Sequence, residues 1–158
     1  MWSALSQRPR PLALFLPALI ATASPAWAAV GDDASAVAAD QARLKATLHV
    51  AAMKGYAVHE LTTPAGALMR EFVASTGKIF ALSWSGGFRP DLREVMGSHY
   101  QQYLEARRSQ PRAHGPVRVE LPGMIVVMGG YLRTFWGHVT LTDLAPPGWN
   151  DEALKGAP

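Results

Sequence analysis

Five histidines are spread through the sequence, at His49, His59, His99, His114 and His138. Imidazole is the side chain best suited to proton transfer and metal binding near neutral pH. None of the five forms the i, i+4 pair or other tight spacing that zinc sites favour. His49 and His59 could meet across neighbouring strands, with a shared face left open. The chain contains no cysteine, which removes disulfides, thiol catalysis and cysteine metal sites together. The residue pattern implies no metal and no cofactor.

His99 carries the one hydrolytic reading. It falls one helical turn from Tyr103, with Arg89 and Asp91 at the start of the same segment. As a general base it would need Ser98, Ser83 or Ser85 as nucleophile, within hydrogen-bond reach, and a third group to orient it. There is no Gly-x-Ser-x-Gly elbow, and Ser85-Gly86-Gly87 reads as a turn-rich strand end. A core histidine bonded through one ring nitrogen fits the pattern with fewer requirements. Asp91 reads as a helix cap rather than an acid.

A binding role has more support than a catalytic one. The run Trp84-Ser85-Gly86-Gly87-Phe88-Arg89-Pro90 places Trp84, Phe88 and Arg89 together where a strand gives way to a helix. Such loops are the usual seats of binding, and an exposed Phe beside Arg suits a protein partner. Trp84, Phe88, Tyr100, Tyr103, Phe135 and Trp136 are a rich aromatic set, most of which core packing explains.

The elements that must position these residues follow from pattern and turn chemistry. Asp32-Asp33 can cap a short helix over Ser35 to Ala46. Strands are expected over Thr47 to Ala52, Tyr56 to Thr62, Leu68 to Ala74 and Ile79 to Ser85, the last with Phe80, Leu82 and Trp84 on one face. Gly and Pro turns separate them at intervals too short for parallel crossovers, so the arrangement is an antiparallel meander. Glu60 and Arg70 are candidates for a cross-strand ion pair. From Asp91, with Glu94 three residues on, a helix should run to about Arg108 and bury Leu92, Val95, Met96, His99 and Tyr103. Val117 to Leu121, Met124 to Met128 and Tyr131 to Leu141 complete the strands, with turns at Pro122-Gly123 and Gly129-Gly130. The fold class is α+β: six or seven antiparallel strands packed on one main helix, with a short N-terminal helix added.

The first 28 residues have the composition of a cleavable export signal. Arg8 and Arg10 precede an apolar stretch, Leu12 to Ala23, too short to span a bilayer, and Ala26-Trp27-Ala28 fits the small-x-small rule for cleavage. Both arginines leave with this segment and no acidic residue does, so the net charge falls from +3 to +1. A value so near zero gives no support to nucleic-acid binding. With no cysteine after the cleavage site, no lipid anchor is expected, and the alanine-rich signal points to the periplasm, with secretion as the alternative. The expected organisation is a signal over 1–28, one domain over 29–145 and a frayed tail over 146–158.

The stretch from Tyr56-Ala-Val-His-Glu-Leu-Thr-Thr-Pro-Ala-Gly through Arg70-Glu-Phe-Val and Gly77-Lys-Ile-Phe-Ala-Leu-Ser-Trp resembles a family of small exported proteobacterial proteins. Gly87-Phe-Arg-Pro-Asp-Leu-Arg and Gly97-Ser-His-Tyr continue the likeness. The family is the domain of unknown function numbered 2844, and the resemblance spans essentially the whole chain after the signal. It implies export and a shared domain type, but no activity or catalytic residue. The residues themselves favour a non-enzymatic binding or accessory domain of the cell envelope, whose partner is an envelope protein or a small ligand. A small periplasmic hydrolase using His99 is the alternative.

Overall fold

The computed structural model describes residues 28–111 and 115–154. Most of the expected signal and His114 lie outside the described residues. Seven strands form one antiparallel sheet: β1 (Thr47–Met53), β2 (Tyr56–Thr62), β3 (Leu68–Ala74), β4 (Ile79–Gly86), β5 (Val117–Leu121), β6 (Met124–Tyr131) and β7 (Thr134–Leu141). Their spatial order is β1-β2-β3-β4-β7-β6-β5, so two meanders join where β4 meets β7. The helices are α1 (Val37–Leu44), α2 (Leu92–Met96) and α3 (Tyr100–Ser109). The fold is α+β, as the residue pattern predicts.

One face of the sheet carries the main core. Leu61, Met69, Val73, Ile79, Leu82, Trp84, Val126 and Val139 pack there against Val37 of α1, Val95 and Met96 of α2, and Tyr103 of α3. The residues before α1 also belong to this layer. Ala28, Ala29 and Val30 are buried, with Val30 N–H donating to Val95 C=O at 3.0 Å and Gly31 N–H to Ile79 C=O at 2.7 Å.

The main helix is not continuous. Asp91 caps α2 by accepting from Arg93 N–H at 2.8 Å. Gly97 then has φ of 51°, and a 3-10 turn over Gly97–His99 separates α2 from α3. A Cβ on Gly97 would lie 3.0 Å from the Ala29 Cβ, so glycine admits both the backbone conformation and the buried N-terminal segment. At α1 the expected aspartate cap is replaced by a 3-10 lead-in, Ala34–Ala36. Asp33 instead meets Lys78 at 3.2 Å, and Asp32 accepts from Ala29 N–H at 2.9 Å.

The second face is aromatic. Phe72 and Phe80 pack with Tyr56 and Trp149, whose indole lies edge-on to Phe80 with ring centroids 4.8 Å apart. Phe80 therefore does not share a face with Leu82 and Trp84. The register pairs Phe72 with Ala81 and Val73 with Ile79, which leaves Phe80 as the extra residue of a bulge and turns it to the second face. Trp149 and Leu154 belong to the Pro146-Pro147-Gly148 stretch, whose composition reads as a frayed tail. In the structure Trp149 N–H donates to Pro146 C=O at 3.0 Å, and the indole N–H donates to Asp151 at 3.2 Å. Apolar burial of Trp149 and Leu154 holds this stretch on the sheet.

One turn is also displaced from its expected place. Gly129 and Gly130 are strand residues of β6, paired with Trp136 and Phe135 of β7, and the hairpin turns at Leu132-Arg133. Leu132 takes φ of 55° there. The glycines are needed in the strand because a Cβ on Gly129 would lie 2.6 Å from the Trp136 ring.

Candidate functional site

The strand-to-helix junction does form a concavity, with a composition that differs from the expected one. Trp84 and Arg89 line a cleft of about 200 Å³ together with Met128, Phe135 and Trp136. Trp84 comes from β4, the aromatic pair from β7, and Gly129-Gly130 contribute bare backbone between them. Trp84 packs against Gly137, its partner across β4 and β7, where a Cβ would come within 2.4 Å of the indole. Phe88 does not wall the cleft. It is half-buried and packs against the helix-covered core. Proline and glycine neighbours let the loop turn Arg89 outward while Phe88 turns in.

Arg89 is exposed, and one guanidinium nitrogen lies 3.9 Å from the Met128 sulfur. The buried Tyr103 hydroxyl approaches the same sulfur at 3.8 Å. Burial raises the Tyr103 phenol above its ordinary range, against the opposing pull of the Arg107 and Arg89 guanidiniums. The phenol therefore stays neutral and acts as a weak donor to sulfur rather than as an acid. Beside the cleft, the hairpin tip holds Tyr131 and Leu132 in solvent, each 80% exposed.

His99 sits half-buried in the 3-10 turn between α2 and α3. Ser98 is exposed, while Ser83 and Ser85 are buried in β4. No hydrogen bond joins His99 to any of these serines among the described residues, so the base–nucleophile–orienter geometry is not assembled. His49 and His59 fall on opposite faces, because the register pairs His49 with Glu60 and His59 with Val50. Among the described residues, no group of three His, Asp or Glu side chains is placed to hold a metal ion.

The structure also brings together a site the residue pattern does not announce. Asp40 of α1 and Glu71 of β3 are both fully buried, on the helix-covered side. Asp40 accepts from Arg43 at 2.7 Å and from Ala28 N–H at 2.8 Å. Neither Glu71 oxygen receives a donor among the described residues. Burial, with the adjacent Asp40 carboxylate as the secondary cause, pushes the Glu71 carboxyl up to about 8. His59 stands opposite Glu71 across the β2–β3 ladder, its Nδ1 likewise without a partner, and burial lowers its basicity. Among the described residues, a shared proton is what can join the two carboxyl groups, and a hydrogen bond with Asp40 adds to the upward shift of Glu71.

Residues 26–154 match a family model described as a protein of unknown function, DUF2844. The chain belongs to the DUF2844 family. The match takes in both the aromatic cleft and the Asp40–Glu71 pair, so both are features of the DUF2844 domain as this chain builds it. No curated protein and no solved structure matches the chain. No helix among the described residues is long and apolar enough to cross a membrane.

Proposed function

We propose that this DUF2844 chain is an exported, non-enzymatic binding or accessory domain that acts in the cell envelope, in the periplasm, by docking a partner protein at the Trp84–Arg89 cleft and the adjacent hairpin tip. The cleft carries the reading. Its volume of about 200 Å³ is below the roughly 300–1,000 Å³ usual for small-molecule sites. It suits one inserted side chain of a partner better than a whole ligand. Aromatic walls and an arginine are the residue types that dominate binding energy at protein interfaces. Tyr131 and Leu132 extend the apolar surface beside it, and contiguous exposed apolar residues mark interaction sites. Phe88, named with Trp84 and Arg89 from the sequence, supports the loop from within, and Trp136 takes its place as a contact residue.

A photocrosslinking amino acid in place of Leu132, in the exported protein, tests this. A discrete protein adduct is expected in envelope fractions, weakened severalfold by Arg89→Ala and by Trp136→Ala. Adducts that both substitutions leave unchanged, or no adduct at all, would refute the surface.

A further inference from the structure

The Asp40–Glu71 pair is electrically incomplete. Among the described residues, two buried carboxyl groups are served by one guanidinium and one backbone amide, and Glu71 receives no donor. A buried carboxylate without a partner is strongly disfavoured, and two adjacent ones cannot both ionise without added positive charge. The group that would complete the site is a cation with several N–H donors, located beside Asp40.

The chain can supply one. The N-terminal segment is already inside the fold, with Ala28 and Ala29 at 1% and 8% exposure. Ala28 N–H donates to Asp40 Oδ2, and Ala29 N–H to Asp32 Oδ2 at 2.9 Å. Backbone geometry keeps the two nitrogens within about 4 Å of each other. The Ala26-Trp27-Ala28 motif puts the expected cleavage at this point.

We propose that the buried Asp40–Glu71 pair is a binding site for the chain's own amino terminus, the α-ammonium released at Ala29 by cleavage of the Ala28–Ala29 bond. This rests on the export reading given above. A signal peptidase adds water across the amide: Ala28 departs with a carboxylate, and Ala29 keeps the nitrogen and gains protons to become an ammonium. Loss of Ala28 removes one donor from Asp40 and opens the space of one residue. The ammonium, retained by Asp32, reaches across that space with its remaining N–H groups. The charged and titratable groups facing the site are Asp32 from the N-terminal segment, Asp40 and Arg43 from α1, His59 from β2 and Glu71 from β3; β4 presents apolar Leu82. Processing thereby exchanges a neutral amide for a cation and locks the N-terminal segment into the core. The precursor, which lacks that cation, is the less stable form.

The test uses protein recovered from export-competent cells. Its first residue is expected to be Ala29, and its α-amine should react with an acylating reagent at least tenfold more slowly than the same amine in urea. Glu71→Gln and, separately, Asp40→Asn should restore most of the reactivity. If neither variant folds, the Glu71 carboxyl of the unmodified protein can be titrated by carbon NMR, and it should ionise at least one pH unit lower in the cleaved chain than in one with Ala28 still attached. An amine that reacts at the unfolded rate, or a Glu71 titration that cleavage does not move, would overturn the proposal while leaving export intact. An uncut chain would sink the export reading as well.

Discussion

The two faces of the sheet are closed by different means. The helix-covered face is a broad aliphatic core with a polar inclusion, Asp40 and Glu71, sealed beneath α1. The second face is a small aromatic cluster, Tyr56, Phe72 and Phe80, capped by Trp149 from the chain's last described segment. Beyond that cap, along β1 and β2, the described residues leave a shallow hollow of about 490 Å³ bordered by His49, Met53, Glu60 and Arg70. Stability should therefore reside on the first face, and tolerance to change on the second.

The largest expected effect tests that division. Leu82→Ala removes a fully buried side chain from the first face and should cost about 2–5 kcal/mol in urea unfolding. Trp149→Ala removes a larger side chain, but one that is only half-buried and lies near the chain's end. It should cost roughly half as much as a fully buried aromatic, for which about 3–5 kcal/mol is usual. Equal losses would show that the aromatic cap is as integral to the fold as the helix layer.

Next in size is the pH dependence of the first face, in a chain whose Ala28–Ala29 bond is intact. Glu71 titrates near its ordinary value of 4.5 when unfolded and at about 8 in the fold. The native state therefore holds more protons between those values, and stability falls as pH rises through that window. The loss is on the order of several kcal/mol, complete once pH passes the folded value. Glu71→Gln should flatten thermal unfolding across pH 5–8. A wild-type profile already flat in the uncut chain would mean that Glu71 is solvated rather than sealed in.

A third test concerns the cleft. Gly137→Ala would place a methyl group 2.4 Å from the Trp84 ring on the first face. Overpacking of this kind costs about 1–3 kcal/mol and should displace the indole, which a shift in tryptophan fluorescence would report. An unchanged spectrum with an unchanged midpoint would show that the indole is free to move.

The contrast between faces also explains what could be read from the residues alone. Strand alternation, Gly and Pro turns, the Asp91 cap and the buried stripe of α2 and α3 are local patterns, and they located every strand to within a few residues. The misplacements have nonlocal causes. Phe80 changes face because a bulge forms against β3, and no residue in its own run marks the bulge. Gly129-Gly130 has turn composition, yet its backbone lies extended beneath the Trp136 and Phe135 rings of the next strand. Trp149 stands in a Pro-rich run without periodicity, and only the aromatic face it covers gives it a place. At the cleft, Trp84 and Arg89 were legible as a pair, but Trp136 joins them through β4–β7 pairing across a long stretch of chain. Asp40 falls within the expected Ser35 to Ala46 helix and Glu71 within the expected Leu68 to Ala74 strand, and neither run marks the other. Their meeting depends on how α1 docks, which periodicity does not encode.

The smallest effect is the one that residue pattern foresaw best. Arg70 Nε donates to Glu60 Oε2 at 2.8 Å across β2 and β3, on the second face. Both side chains are partly solvated, at 25% and 35% exposure, so water screens their attraction and ordering two long side chains offsets part of what remains. A double-mutant cycle with Glu60→Gln and Arg70→Gln should return a coupling of about 0–1 kcal/mol, falling as salt is added. Glu71, the next residue along β3, points to the other face and is removed from water altogether. The same strand thus presents one carboxylate partner whose loss the protein barely registers and one carboxyl whose charge it cannot carry alone. A Glu60–Arg70 coupling well above 1 kcal/mol would mean that the second face is drier than its open hollow implies, and the division between the faces would have to be redrawn there.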